Sequence, residues 1–550
     1  MSESPKRLTR LDRFFGAFTR LRPGEGRSVM VYFVYALLMM LSYYILKTIR
    51  EPLLLATSSA EIKSYAYAVT ALLLLFIIPL YGLVFRHSSK RQLTRYVTLF
   101  FLANLFLFYL AGRAGLDIGF AYYVWVGIFS VMITAQFWAF AADSYNVKSG
   151  QRLFPLIMVG ATLGSLAAPA LSGMLFPHVG AWPLLLAAMV LLALTLPCVG
   201  WGRAAIPSGS ARGQTRSGKQ HNAGVFGGIS FVLSDRYLFL LAMLILLLNW
   251  VNTTGEYILS ELVIRHADAL IALDASVVKA DIIAGFYGNF FFAVNTVTLL
   301  LQVFLVARII RWIGVKGAVL VLPVLVLFGY GLVVFIPIFS IIRIVKIMEN
   351  STDYSLMNTT RHALYLPLSA AKTYEGKTTI DAFFWRFGDL LQAGSIYVGL
   401  HWFSFKLEHF AVVNMVLAVI WLWVAWRISR YYTGKERLVN ENLPPRLMRR
   451  MEDRLVLPMV PFEFCLPDDT FVDPDEGDVL TFTAHQAGGS WLPAWLDFDS
   501  ETLCFSGIPP AEVKPYTRLI LRATDFDGAW AEGELLLQHR EPGSGRSGQV

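Results

Sequence analysis

The segment Tyr43–Leu55 reads YYILKTIREPLLL and places three charged side chains at the end of a long apolar run. On a helix, Lys47, Arg50 and Glu51 share one face because they are three and four residues apart. Pro52 predicts that the helix ends just after Glu51. Charged groups at membrane depth face a bundle interior or an aqueous cavity. The pattern favours the edge of a binding site for a charged solute over an interfacial anchor.

A second polar segment, RIVKIMENSTDYSLMNTTR, covers residues 343–361 in an apolar context. Arg343, Lys346, Glu349 and Asp353 recur at helical spacing and share a side of the helix. With Arg361 at its end, the segment has five charged groups, more than one structural ion pair needs, which favours a solute site. An internal ion-pair network that only locks the helix is the alternative.

A third segment, TTIDAFFWRFGDLLQ, covers residues 378–392. Asp381 and Asp389 lie on one helical stripe, and Arg386 is placed to meet Asp389 three residues later. The alternative to a solute site is a structural role, in which Asp381 is an interfacial anchor and Arg386 and Asp389 form one buried salt bridge. Glu256 is a lone carboxylate at depth, and such a group can carry a proton or pair with a substrate-binding lysine.

These segments define the candidate site, in which no catalytic residue is expected. The predicted substrate-binding residues are Lys47, Arg50, Glu256, Arg343, Lys346, Asp353 and Arg386. The predicted coupling or ion-pair residues are Glu51, Glu349, Asp381 and Asp389.

The elements that must position these residues are membrane helices. The chain of 550 residues is 56% hydrophobic and only 16% charged, whereas soluble proteins carry about 25% charged residues. Apolar blocks of about 20 residues predict an α-helical polytopic membrane protein with about twelve transmembrane helices. The predicted spans are 29–49, 64–85, 95–112, 120–142, 153–176, 182–201, 237–260, 282–307, 315–336, 338–360, 378–400 and 408–429.

The spans fall into two groups of six, which is the arrangement of the major facilitator fold. Helix 5 of the first group contains GATLGSLAAPALSG, and its small residues predict close helix packing. The predicted parts are a basic N-terminus 1–28, a first bundle 29–201, a linker 202–236, a second bundle 237–430, a basic amphipathic linker 431–457, a β-sandwich 458–540 and a disordered tail 541–550.

Lysine and arginine are concentrated in alternate loops, and both termini belong to the basic set. The positive-inside rule therefore predicts cytoplasmic termini in a multi-pass plasma (inner) membrane protein. The net charge of +8 is accounted for by this bias, so no nucleic-acid partner is expected. Three unevenly spaced cysteines predict neither a disulfide framework nor a metal site, and unpaired Cys465 and Cys504 would suit a reducing compartment.

The C-terminal region has short alternating segments such as VLTFTA and TRLILRATD, separated by Pro, Gly and Asp turns. This pattern predicts a small all-β sandwich. The whole chain lacks a nucleophile–base or metal-ligand motif, so we expect neither an enzyme nor a cofactor.

Three stretches resemble the ATP/ADP translocase family of nucleotide transporters. They are YYILKTIREPLLL with TSSAEIKSYAY, FWAFAADSYNVKSGQRLFPLIMVGATLGS, and DYSLMNTTRHALYLPLSAAKTYEGKTTIDAFFWRFGD. The resemblance covers about residues 30–430 and implies transport of a nucleotide or related anion by alternating access. In that family cationic residues hold the phosphates, and the matching position here is Arg50, followed by Glu51.

The C-terminal region resembles the dystroglycan-type cadherin-like domain in its DPDEGD, PAWLDFD, FSGIPP and ATDFDG motifs. Some relatives of this module bind Ca²⁺ outside cells. The acidic residues that could offer oxygen ligands are Asp473, Asp475, Asp478, Asp525 and Asp527. In a cytosolic tail we expect no metal there, because Asp also caps tight turns through its own backbone.

Three hypotheses follow from the sequence. The first is a secondary-active transporter of nucleotides or another phosphorylated or organic anion, working by exchange or proton coupling. The second is a non-transporting membrane sensor or scaffold whose β domain binds a protein partner. The third is a major facilitator for a different solute, such as a peptide. In every case the lipid bilayer surrounds the protein.

Overall fold

The computed structural model describes most of the chain. The described residues are 9–16, 21, 23–87, 90–145, 147–204, 206, 225–336, 338–368, 370–440, 443–474, 480–512, 514–525 and 528–539. They form two compact units, Met1–Thr433 and Gly434–Val550.

The first unit is helical throughout. Its first half contains α1 (Arg10–Gly16), α2 (Glu25–Leu55), α3 (Ala60–His87), α4 (Lys90–Arg113), α5 (Gly119–Ser144), α6 (Val147–Val179), α7 (Ala181–Ala193) and α8 (Thr195–Ala204). Its second half contains α9 (Val225–Ser234), α10 (Arg236–Leu273), α11 (Lys279–Leu300), α12 (Val306–Phe335), α13 (Phe339–Thr352), α14 (Asn358–Ala363), α15 (Ala370–Thr379), α16 (Trp385–His401) and α17 (Leu407–Asn440). Short π-helical turns lie at Leu301–Leu305, Asp353–Met357 and Ile380–Phe384.

The described residues contain nine segments long and apolar enough to cross a membrane. One of them, Lys279–Phe335, has 57 residues, which is enough for two crossings of about 20 residues each. The predicted spans 338–360 and 378–400 are helical too, but they carry more charge than a lipid-facing helix. Large apolar side chains such as Phe76 and Phe328, each 75% exposed, cover the outer surface. The protein is therefore a multi-pass membrane protein.

Each half has its own apolar core. In the first half, Tyr32, Tyr35 and Phe129 are fully buried. In the second half, Tyr287 and Phe290 are fully buried. The small residues of α6 allow close packing as predicted: a Cβ atom added at Gly160 would lie 2.4 Å from the carbonyl oxygen of Phe33 on α2.

Three sequence-based expectations about segment ends differ from the structure. The helix does not stop at Pro52, because α2 continues to Leu55 and the N–H of Ala56 bonds to the Pro52 carbonyl. The linker predicted at 202–236 contains α9, while 205 and 207–224 lie outside the described residues. Within the linker predicted at 431–457, α17 continues to Asn440 and strands begin at Arg446.

The second unit is an all-β domain. Its strands are β1 (Arg446–Leu447), β2 (Arg454–Val456), β3 (Phe462–Cys465), β4 (Phe471–Val472), β5 (Thr481–Gln486), β6 (Leu496–Asp499), β7 (Cys504–Gly507), β8 (Tyr516–Thr524) and β9 (Trp530–His539). They form sheets in the orders β2-β9-β8-β5, β3-β7-β6 and β1-β4. Alternating residues such as Leu519, Leu521, Leu535 and Leu537 point into the core between the sheets. The predicted tail 541–550 lies outside the described residues.

The cysteine expectation was wrong in one respect. Cys465 and Cys504 are directly opposite each other on β3 and β7, and they form a disulfide. Spacing along the chain could not show this, because the two cysteines are 39 residues apart and meet only through strand pairing. Cys198 is a buried free thiol.

Candidate functional site

A polar cavity lies between the two halves of the helical unit and encloses about 180 Å³. From the first half it is lined by Tyr43, Lys47, Arg50 and Glu51 of α2 and Tyr67 of α3. From the second half it is lined by Asn249, Asn252, Thr253 and Glu256 of α10, Phe291 of α11, Asn350 of α13, Tyr354 of the following π-helical turn, and Trp385, Arg386 and Asp389 of α16. Six of the eleven predicted site residues are thus brought to one cavity: Lys47, Arg50, Glu51, Glu256, Arg386 and Asp389.

On the first half, the spacing of α2 places its cations on the cavity wall. Arg50 is buried and lies over the ring of Tyr123, 4.2 Å from its centroid. Its Nε donates to Glu51 Oε1 at 3.2 Å. Arg50 therefore enters the cavity partly neutralised by the residue that follows it.

Lys47 differs from the other cations of the cavity wall. Its Nζ lies 4.4 Å from the ring centroid of Phe291 and 5.2 Å from that of Tyr44. In the part of the chain that the structure describes, no carboxylate oxygen lies within 4.0 Å of this Nζ. A cation held by aromatic rings keeps its charge available for an anionic solute.

On the second half, Arg386 and Asp389 form the ion pair expected from their spacing. The distance from Arg386 Nη1 to Asp389 Oδ2 is 3.6 Å. Asn249 Nδ2 donates to Asp389 Oδ1 at 2.7 Å and to the Trp385 carbonyl at 2.8 Å. Asn249 therefore fixes both the acid and the backbone at the start of α16.

Lys346 and Glu349 do not line the cavity but lie directly behind its wall. Lys346 Nζ is 3.1 Å from Glu349 Oε1 and 3.8 Å from Glu256 Oε1. It also donates to Asn252 Oδ1 at 2.9 Å. The internal ion-pair network considered for this segment is therefore present, and it supports the cavity residue Glu256.

Three predicted residues lie away from the cavity. Arg343 stacks over the ring of Phe286 at 5.7 Å. Asp353 is buried in the π-helical turn that follows α13. Asp381 is exposed at the start of the next π-helical turn. Periodicity assigned these residues to a face, but the direction of that face depends on how the helices pack.

Sequence analysis missed Lys63, which lies one residue before the predicted span 64–85. The residue lies inside α3 and is 1% exposed. Lys63 Nζ is 3.0 Å from Glu51 Oε2 and 3.6 Å from Glu256 Oε2, so it connects carboxylates of the two halves. An available signal was its position at the start of a predicted span, in the sequence AEIKSY.

The acidic residues of the β domain do not form a described calcium site. Asp475, Asp478 and Asp527 lie outside the described residues. Asp525 Oδ1 accepts the backbone N–H of Ala529 at 2.9 Å, which is the turn-capping role considered from the sequence. Among the residues searched, neither Asp473 nor Asp525 belongs to a cluster of three potential metal ligands.

Two known proteins similar to this chain are ADP,ATP carrier proteins. ADP,ATP carrier protein 1 of Chlamydia pneumoniae is 23% identical over 372 residues, which cover 59% of this chain and 69% of that protein. The protein of the same name from Chlamydia trachomatis serovar D is 25% identical over 358 residues, covering 57% and 65%. The chain therefore resembles ADP/ATP carriers over more than half of its length. The chain spans about two thirds of the length of these relatives.

Solved structures support the fold. A bacterial homologue of the iron transporter ferroportin in its inward-facing state has a TM-score of 0.52 at 12% identity, covering 73% of this chain and 98% of that one. A POT family transporter in complex with 5-aminolevulinic acid has a TM-score of 0.53 at 11% identity, covering 73% and 96%. Residues 451–534 match the family model described as a putative Ig domain. The predicted facilitator-like fold with a C-terminal β-sandwich is confirmed.

Proposed function

We propose that this protein is a secondary-active transporter of a nucleotide or another phosphorylated or organic anion, working by alternating access. The observation that carries the proposal is Lys47, a cavity cation without a carboxylate within 4.0 Å among the described residues, one helical turn from Arg50. The similarity to ADP/ATP carriers supports the same substrate class. These relatives are carriers, in agreement with the expectation that the chain is not an enzyme.

The cavity volume of about 180 Å³ is small for a whole nucleotide. Sites that enclose a drug-sized ligand span about 300–1,000 Å³. A whole nucleotide therefore requires the halves to move apart, as alternating access demands. Lys47 and Arg50 would hold its phosphates, with Arg50 able to make bidentate contacts.

Proteoliposome uptake tests the proposal. Purified protein is reconstituted, and labelled ATP, ADP and inorganic phosphate are offered with and without internal nucleotide. Hydrogen bonds to charged groups contribute about 1.5–3 kcal/mol, so we expect Lys47→Gln and Arg50→Gln to lower apparent affinity about 10- to 100-fold. Lys279→Gln is the matched control, because Lys279 pairs with Asp268 away from the cavity. Folded wild-type protein that takes up no phosphorylated anion would refute the proposal.

A second candidate substrate is a zwitterion such as a small peptide. It is favoured by one observation: the cavity is lined by three carboxylates, Glu51, Glu256 and Asp389, as well as three cations. The same liposomes offered a labelled dipeptide distinguish the two. Competition of the dipeptide with ADP for uptake would place both in one cavity, and dipeptide uptake alone would exclude the nucleotide.

The orientation of the protein is also a proposal. The lysine and arginine bias of the loops supports cytoplasmic termini in a plasma (inner) membrane. No observation on the described residues identifies a protein partner for the β domain, so that hypothesis gains no support here.

A further inference from the structure

The first turn of α3 contacts the opposite half of the bundle at three polar positions. Glu61 Oε1 lies 2.8 Å from His401 Nε2 of α16. Ser64 Oγ accepts a hydrogen bond from Gln392 Nε2 of the same helix at 2.9 Å. The third position is Lys63. We call these three residues of α3, Glu61, Lys63 and Ser64, the α3 clasp.

Lys63 is the buried centre of the α3 clasp. Its Nζ faces Glu51 of its own half and also Glu256 of the other half, at 3.0 Å and 3.6 Å. It donates to Ser260 Oγ of α10 at 2.8 Å and to Tyr287 Oη of α11 at 3.3 Å. The ammonium group of Lys63 on α3 therefore contacts three other helices: α2 of its own half, and α10 and α11 of the other half.

The charges around Lys63 continue into the cavity. Arg50, Glu51, Lys63 and Glu256 alternate in sign, and the two ends of this row, Arg50 and Glu256, both line the cavity. Glu51 is shared between two cations, because Arg50 Nε lies 3.2 Å from its Oε1 while Lys63 lies on its Oε2. Anything that removes Arg50 from Glu51 makes Lys63 the remaining cation of that carboxylate.

Glu256 also has a hydrogen bond and an ion pair with residues of its own half. Asn350 Nδ2 donates to Glu256 Oε1 at 3.1 Å, and Lys346 Nζ is 3.8 Å from the same oxygen. Glu256 therefore remains solvated by the protein when Lys63 leaves it. The movement of Lys63 therefore does not leave the carboxylate of Glu256 as an uncompensated buried charge, which would be costly.

We propose that Lys63 is the positioning residue that holds the two halves together at this end of the bundle, and that an anion bound by Arg50 releases it. The anion draws Arg50 away from Glu51, Glu51 then holds Lys63 within the first half, and the contact of Lys63 with Glu256 is lost. The second step rests on the proposed function, whereas the holding role of Lys63 does not.

Spin-label distances measure the holding role without any transport assay. Labels at Thr57→Cys and Ala275→Cys lie in the exposed turns between α2 and α3 and between α10 and α11. The background carries Cys198→Ser, Cys465→Ser and Cys504→Ser, so that only the two introduced cysteines are labelled. We expect Lys63→Gln to raise the population with the longer label separation about fivefold, a typical coupling between sites. Lys63→Arg keeps the charge and should retain the wild-type distribution.

The matched control is Lys279→Gln, which removes a lysine ion pair with Asp268 at the same end of the bundle but within one half. It should leave the distances unchanged. Glu256→Gln breaks the contact from the other side and should act like Lys63→Gln, which covers the case that Lys63→Gln does not fold. Identical distributions for wild type, Lys63→Gln and Glu256→Gln would overturn the holding role.

Addition of ADP to the labelled protein tests the release step. ADP should raise the longer-distance population in wild type and cause no further rise in Lys63→Gln, a result that a merely structural lysine would not give. If Lys63→Gln opens the bundle but ADP leaves wild type unchanged, the holding role stands and release by this anion is wrong. If ADP also does not bind to the wild-type protein, the proposed substrate is wrong, whereas the holding role of Lys63 is unaffected.

Discussion

Lys346 Nζ lies 3.1 Å from Glu349 Oε1, one turn along α13, and both side chains are almost fully buried. Breaking a buried pair by removing one partner costs about 3–5 kcal/mol. We therefore expect Lys346→Met to lower the thermal midpoint strongly, because it leaves the buried carboxyl group of Glu349 without its cation. The double variant Lys346→Met/Glu349→Leu should recover much of the loss. Thermal unfolding in detergent measures both, and a double variant no better than the single one would contradict the account.

The close approach of α6 and α11 gives a second prediction. A Cβ atom at Gly288 would lie 2.5 Å from the Cα of Gly173, so Gly288→Ala forces the two helices apart. These helices belong to different halves, and we expect lower thermal stability together with slower uptake. Gly285→Ala is the control on the same helix, since no atom lies within 4 Å of a Cβ added there. Equal effects of the two substitutions would argue that helix propensity and not contact is responsible.

The N-terminal contact of α1 with α2 gives a pH-dependent prediction. Burial alone would raise the pKa of Asp12, but backbone N–H groups of Gly24, Thr9 and Gly26 bond to the carboxylate and hold its pKa below the ordinary value of an aspartate. The folded pKa is thus lower than the unfolded one, so the carboxylate stabilises the protein above about pH 4 and that contribution is lost as pH falls through the folded value.

Asp12→Asn tests this sign. Hydrogen bonds to a charged group contribute about 1.5–3 kcal/mol, so the variant should be less stable than wild type at pH 7. The difference should shrink as the pH is lowered below 4. Thermal unfolding of both proteins between pH 7 and pH 3 measures it. A gap that stays constant with pH would show that the carboxylate charge is not what Gly24 and Gly26 recognise.

The sequence predicted individual helices and strands better than the contacts between residues on different elements. Apolar length predicted the spans, and spacing predicted that Lys47, Arg50 and Glu51 share a face, because both are properties of one helix. Lys63 could not be found in this way, since its significance lies in Glu256, which is 193 residues later in the chain. The disulfide between Cys465 and Cys504 was missed for the same reason, because only strand register brings these residues together.

Arg343 and Asp381 do not line the cavity. Both were assigned to the site on charge and periodicity, yet Arg343 packs over Phe286 and Asp381 is exposed. Helical spacing states which residues share a face, whereas packing against neighbouring helices decides where the face points. The π-helical turn at Ile380–Phe384 also shifts the face between Asp381 and Arg386, because each such turn adds a residue to the helical repeat.

The last prediction concerns the side of the membrane on which the β domain lies. The loop charges predict a cytoplasmic domain, and disulfides do not persist in most reducing cytosols. In that placement Cys465 and Cys504 should be dithiols in growing cells, modified by a membrane-permeant alkylating reagent added before lysis. Trypsin should cleave the domain in inverted vesicles and spare it in intact right-side-out cells. The opposite result is a cysteine pair that stays in the disulfide of the structure and resists alkylation until reductant is added, together with cleavage in intact cells. It would place the domain outside the cytoplasm and overturn the orientation proposed from the loop charges.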